Sequence, residues 1–252
     1  ASVFPLFDVG EQQDFKDATQ MIAGLDQDGL GLPDRDYYLK DDGNMKSVRT
    51  FYEGHVARMM ELLGMKAADA KRAAADVMRV ETAIAKLQQD KVTRRDPYKV
   101  YHRVDRAGLA KIAKSFPWDA YFGELGFPGV QAVSVNDPAY FTGIDALMSA
   151  ESPRVWQHYL AWQLAHAKAS VLPKAFVNEA FALRHELVGQ KELEPRWKRC
   201  VRAVDGGLGE LLAQPYVEAK FAGDSRARAR ALVGSIHDAM KGDLQILPWM
   251  DD

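Results

Sequence analysis

The sequence predicts a mainly α-helical fold, a multi-helix lobe with a small β-hairpin or short strands near the amino end. Three observations carry that expectation. Apolar residues recur at steps of three or four through most of the chain, helix start and stop signals punctuate those runs, and the opening residues alternate instead. The 252 residues read as one lobe, with a short β element over 1–28 and mostly helices over 29–252.

The elements follow in order. "FPLFDVG" and "ATQMIAGLD" are short, partly alternating apolar runs separated by the polar "EQQDFKD", a hairpin or strand-pair pattern. After "GLGLPDRDYYLKDDG" the period becomes helical. Over 44–63, Val48, Tyr52, His55, Met59 and Leu62 share one stripe. Over 67–89, Val77, Val80, Ile84 and Leu87 share another, in an alanine-rich run that favours helix by propensity. Gly64 between them reads as a helix stop. "VQAVSVND" reads as extended, ahead of Pro138. Ser152 as N-cap and Pro153 at the first helical position open the next helix. "LPKAFVNEAFALRHELVG" starts at a proline and stops at Gly189. The last helix begins at Asp224 or Ser225 and directs Leu232, Ile236, Met240 and Leu244 inward, with the stripe running on through Leu247 to Trp249 and Met250.

An apolar stripe carried that near a terminus needs something to cover it, so further polypeptide is expected beyond it. The strand-like "FPLFDV" and a start at Ala1 rather than Met give the same expectation at the amino end.

With 47% hydrophobic and 27% charged residues and a net charge of -2, the chain can bury a proper core. That near-neutral balance argues against nucleic acid as a partner, because phosphate binding needs a basic excess. No run of about 18 apolar residues occurs, so no membrane-spanning segment is expected in this chain. The single cysteine, Cys200, cannot form an internal disulfide; it reads as a buried thiol, or as one whose partner lies outside this sequence.

Few side chains are spaced for chemistry. "HELVG" begins like a zinc-protease motif, but Gly189 stands where the second histidine of His-Glu-x-x-His would be, four residues after His185. One imidazole beside the Glu186 carboxylate is not a metal site. His158 and His166 lie on one helical face about 12 Å apart, too far to share an ion. Trp156, Tyr159, Trp162 and Trp197 make an aromatic-rich set that reads as core before it reads as a ligand cluster. Arg94 and Arg95, in "VTRRDPYKVYHRV", are the substrate-binding candidates. An arginine pair can clamp a carboxylate through two parallel N–H bonds, although a helix C-terminus would also favour the two cations. The acidic pairs Asp41–Asp42 and Asp251–Asp252 do not extend into a magnesium site. No phosphate loop, serine elbow or cysteine–histidine dyad is present, so no catalytic and no metal residue is assigned.

Several blocks together resemble the amino-terminal region of neprilysin-type zinc metallopeptidases, the family of neprilysin, endothelin-converting enzyme and bacterial oligopeptidase O. They are "GLGLPDRDYYL" (29–39), "RRDPYKVYHRV" (94–104), "LPKAFVNEAF" (172–181), "ELEPRWKRCVRAVDGGLGELLAQPYVEAKF" (192–221) and "LPWMDD" (247–252), in the family's order. The resemblance implies a two-lobed zinc metalloendopeptidase in which this chain is the helical lobe. The zinc and the catalytic His-Glu-x-x-His would belong to a carboxy-terminal lobe that starts after "LPWMDD", and this chain would bind none and be inactive alone. The partners implied are that catalytic lobe and oligopeptide substrates, admitted by size into a cavity that the helical lobe covers. Family members carry a cysteine at the position of Cys200, paired in extracellular ones with a cysteine further upstream. The cysteine pair that animal members place after the "RDYY" block is absent here, which favours a bacterial type. The family implies an extracytoplasmic setting (periplasmic, secreted or membrane-anchored) and leaves a cytoplasmic one open. The alternative is a stand-alone peptide-binding or scaffold module, separated by whether the gene continues past Asp252 into His-Glu-x-x-His.

Overall fold

The structure is a computed structural model that describes residues 3–221 and 223–248. It divides into two compact units, residues 1–191 and 192–252.

The first unit opens with the expected hairpin. Strands β1 (Phe7–Gln13) and β2 (Met21–Gln27) pair antiparallel, Phe7 opposite Gln27 and Gln13 opposite Met21. β1 runs into the polar "EQQ", because backbone pairing there does not depend on apolar side chains. The turn is held instead by Asp14, whose carboxylate accepts from Lys16 N at 2.9 Å and from the Tyr101 hydroxyl at 2.6 Å. β4 (Ala132–Val135), the expected extended segment, joins β2 in parallel, and the short β3 (Arg103–Asp105) pairs antiparallel with β4. The sheet order is therefore β1-β2-β4-β3. β3 has no signature of its own, since three residues are too few to show alternation.

Eight helices belong to this unit: α1 (Asp36–Leu39), α2 (Gly43–Leu62), α3 (Ala67–Leu87), α4 (Arg106–Ile112), α5 (Trp118–Glu124), α6 (Pro138–Ala150), α7 (Pro153–Lys168) and α8 (Lys174–Val188). Their starts follow from capping chemistry. Asp42, Asp105 and Asp137 accept hydrogen bonds from first-turn N–H groups of α2, α4 and α6. Ser152 occupies the N-cap of α7 with Pro153 behind it, as expected, although its hydroxyl makes no capping bond. α2 ends at Leu63–Gly64. α8 ends at Gly189, whose φ of +68° is the left-handed conformation that glycine adopts without strain.

Two apolar clusters form the core. One gathers α1, α2, α8 and one side of α3 and α7 around Tyr52, Met59, Met60, Val77 and Trp162. The other gathers the sheet, α4, α5 and α6 with the opposite side of α3 and α7 around Leu25, Ile84, Leu109, Phe141 and Tyr159. α3 and α7 are thus shared by both. Val77, Val80 and Ile84 are fully buried, each worth about 1.5–3 kcal/mol of transfer free energy. Two stripe residues differ from expectation: Leu62 is 38% exposed at the fraying end of α2, and Leu87 is half-buried at the end of α3.

The second unit comprises α9 (Arg196–Lys220), with Pro215 inside it, and α10 (Ser225–Leu244). The start of α10 at Asp224–Ser225 agrees with the sequence, but the direction of its stripe does not. Leu232, Ile236, Met240 and Leu244 are 63%, 59%, 60% and 38% exposed, and neither helix has a buried residue. Period fixes which residues share a face; it does not supply something for the face to meet. Trp249 and Met250, the far end of that stripe, lie outside the described residues, as do Asp251 and Asp252. Cys200, read as a buried thiol or as one whose partner lies outside this sequence, is exposed on α9, against the first of these readings.

Candidate functional site

The sequence's own candidates separate in space. His185 and Glu186 are exposed near the end of α8, and His185 Nδ1 lies 2.9 Å from the Gln190 carbonyl oxygen. This is an ordinary helix terminus. No group of three or more His, Cys, Asp or Glu side chains that could hold a metal ion occurs among the described residues.

Arg94 and Arg95 are not at the C-terminus of α3, which stops at Leu87. They sit in a 3-10 turn, Thr93–Arg95. Asp90 builds that turn: its carboxylate accepts from Val92 N at 2.8 Å and Thr93 N at 2.9 Å. An Asp able to bond its own following backbone ends the helix earlier than its apolar stripe suggests. Arg94 is paired with Asp26 of β2, whereas Arg95 is exposed and its side chain has no ion pair among the described residues. Arg94 borders a small polar cleft of about 160 Å³ with Asp28, Gln88 and Lys91. Its walls are cross-linked: Gln88 Nε2 donates to the Asp28 carbonyl at 3.0 Å, Gln27 and Gln89 exchange two bonds, and Lys91 pairs with Asp34 at 3.2 Å. Burial, the largest influence on it, raises the Asp28 carboxyl above its ordinary range.

The aromatic set is mostly core, as expected. Trp156, Tyr159 and Trp162 pack in the first unit, each polar atom partnered; Trp197, 65% exposed, belongs to the second. His158 and His166 serve separately. His158 Nδ1 is 2.8 Å from Asp76 Oδ2 on α3. His166 lies against the Trp162 ring at 4.8 Å, and burial, then the charge of His55, lower its pKa to about 4.

Glu81, which sequence reasoning missed, centres a sealed polar node between α1, α2, α3 and α7. Glu81 is fully buried. Tyr38 and Tyr52 hydroxyls each donate to its Oε2 at 2.8 Å, Trp162 Nε1 donates to Oε1 at 3.0 Å and Gln163 Nε2 at 3.3 Å. Gly31 adds a backbone bond, and a Cβ at Gly31 would collide with the Tyr52 hydroxyl. Burial pushes the Glu81 carboxyl up to about 7, with the Tyr52, Tyr38 and Trp162 bonds pulling the other way. Beside this node His55 Nδ1 lies 2.7 Å from Glu179 of α8, and Arg58 donates to the same carboxylate oxygen at 2.8 Å. Burial opposes it, yet those two bonds hold the Glu179 carboxyl below its ordinary value. One signal for Glu81 was available: it falls on the stripe of Val77, Val80 and Ile84, where a carboxylate must be partnered if the helix packs. Without access to solvent, this node can brace four helices but cannot meet a substrate.

Comparison with known proteins accords with this picture. The model of the amino-terminal part of peptidase family M13 matches residues 1–252. Human endothelin-converting enzyme 1 is 31% identical over 254 residues, 98% of this chain and 33% of that protein. Mouse membrane metallo-endopeptidase-like 1 is 27% identical over 98% of this chain and 34% of its own length. The chain thus spans about a third of the length of the curated relatives it matches. Among solved structures, the Mycobacterium tuberculosis zinc metalloprotease ZMP1 in complex with an inhibitor superposes with a TM-score of 0.87 at 30% identity, over 99% of this chain and 38% of that one. PepO from Lactobacillus rhamnosis shares the fold, with a TM-score of 0.77 at 19% identity over 99% of this chain and 39% of that one.

Proposed function

The chain belongs to peptidase family M13 as the amino-terminal lobe of a neprilysin-type peptidase, and from that premise we propose that it is the non-catalytic helical lobe of a zinc-dependent metalloendopeptidase acting on oligopeptides. The observation that carries the reading is the family match over the whole chain, in relatives about three times as long that are named as converting enzyme, endopeptidase and zinc metalloprotease.

The residues present do not fit the zinc ion of such an enzyme. His185 has no second imidazole one turn on, and no ligand cluster occurs among the described residues. The metal and the water it activates are therefore assigned to a carboxy-terminal lobe, and no chemical step is routed through this chain. Its part is to cover the reaction cavity and admit peptides by size. The first unit is suited to that role, because its two clusters share α3 and α7, and a wall braced in this way holds its shape while a peptide enters. Arg95, exposed and unpaired, is the better of the two arginine candidates for a peptide carboxylate, since Arg94 already has Asp26. No helix among the described residues is long and apolar enough to cross a membrane, and the family supports an extracytoplasmic setting.

The test is an assay of the whole protein against peptides of increasing length and against a folded protein of the same composition. Chelation should abolish cleavage, short peptides should be cut, and the folded protein should survive. His185→Ala should leave zinc content unchanged. Chelator-insensitive cleavage by residues 1–252 alone would overturn the lobe assignment, and a whole protein with no peptidase activity would favour the stand-alone binding module.

A further inference from the structure

A second cavity in the first unit is more open than the cleft at Arg94 and has a different chemistry. It encloses about 670 Å³ between the α2–α3 turn, α3 and α7. Lys66, Arg72, Arg154 and His158 line it together with Asp69 and Asp76. The two carboxylates already have partners inside the wall. Asp69 pairs with Arg72, and Asp76 holds Arg79 at 3.0 Å and His158 Nδ1 at 2.8 Å. Arg79 in turn bonds Glu151 through two nitrogens at 3.1 Å, which closes the network on that side. Lys66, at the N-cap of α3, and Arg154, in α7, remain, exposed cations with no ion-pair partner among the described residues.

We propose that this cavity binds a small dianion, a molecule carrying phosphate or carboxylate oxygens, between Lys66 and Arg154. The pairing pattern supplies the argument: the wall neutralises its own acids and leaves two positive groups facing one space, where an anion gains charge-assisted hydrogen bonds from both. Arg154 offers a planar fork suited to an oxyanion, Lys66 a mobile ammonium. His158, its Nδ1 held by Asp76, helps to keep that carboxylate occupied and away from the anion. Apart from Met65, every lining side chain is charged or polar, which favours a polar ligand. The volume is in the usual range for small-molecule pockets and leaves room for more than a bare ion.

Isothermal titration of the whole protein, in low-salt buffer free of other polyanions, tests the site with inorganic phosphate and, separately, succinate. Saturable one-to-one binding is expected for at least one, with a dissociation constant on the order of 0.1–1 mM. Binding of phosphate alone assigns a phosphate ligand, and of succinate alone a dicarboxylate. The double variant Lys66→Gln, Arg154→Gln should weaken binding at least about tenfold and leave the ligand-free melting temperature unchanged, because both side chains are exposed and unpaired. His158→Gln provides a second, milder variant that should weaken binding less. The proposal is overturned if neither anion saturates below about 20 mM, or if the double variant binds as well as the original protein.

Discussion

The two units carry the same kind of sequence and reach opposite ends. In the first, the stripe Val77, Val80 and Ile84 of α3 is fully buried. In the second, the equally regular Leu232, Ile236, Met240 and Leu244 of α10 is open. The first unit contains two clusters to which every long helix contributes; the second, among the described residues, has two helices, neither with a buried residue. Amphipathic period is therefore a statement about a face, and burial requires an opposite surface in addition. The difference also locates stability. In the first unit a side-chain change should be felt as lost packing, whereas in the second it should be felt only when something else covers the helix.

The sharpest way to break this contrast is Trp162→Ala. It removes a fully buried ring and takes the indole donor away from Glu81 and Tyr52. A loss of about 4–5 kcal/mol, read as a lowered denaturation midpoint, is expected from the cavity and the weakened node. A loss under about 1 kcal/mol would mean the first unit is no more tightly packed than the second.

The next effect is on pH dependence, and it has two signs in one core. Burial raises Glu81 to about 7 from 4.5, so the folded state holds that proton more tightly. Its contribution is fully present below about 4.5 and lost as pH rises to 7, worth roughly 3 kcal/mol. His166 is lowered from 6.5 to about 4, so its contribution is present above 6.5 and lost as pH falls toward 4, of similar size. Between about 4.5 and 6.5 the two slopes oppose each other and nearly cancel, so stability of the first unit should be close to level there, and either single variant should unmask the other group's slope. Glu81→Gln should flatten the alkaline side and His166→Gln the acid side in denaturation curves taken at stepped pH. A profile that Glu81→Gln leaves unchanged would show that this carboxyl does not titrate in the window.

The smallest effect belongs to the second unit. Ile236→Ser on α10 should cost less than about 0.5 kcal/mol in residues 1–252, because its side chain is 59% exposed already. In the whole protein the same change should cost more, if a further lobe covers that face. Equal, negligible costs in both settings would leave the stripe without a role.

Much of the fold is legible in the sequence. The hairpin, the extended "AVSV", the boundary at Gly64, the start of α7 and both ends of α8 are each dictated by a few neighbouring residues, so local chemistry suffices. β3, the four-residue α1 and the seven-residue α4 and α5 are too short to express a period. The site is less legible, because its polar groups find partners far along the chain. His55 meets Glu179 across 124 positions and Tyr38 meets Glu81 across 43. Arg94 and Arg95, adjacent in sequence, read as a pair, but successive residues of a 3-10 turn point apart, and only one of them reaches Asp26.

The sheet has a further consequence in time. β1 and β2 pair as neighbours, but β2 receives β4 only across a separation of 110 positions, Leu25 beside Val135. While the chain is being synthesised, the hairpin emerges with one edge unfilled and must wait for α1 through α5 before that edge is closed. Helices α2 and α3 can pack on each other long before then, since their pairing is local. Assembly of the first unit should begin at α2–α3 and finish at the sheet, with β4 docking as the slow, late event.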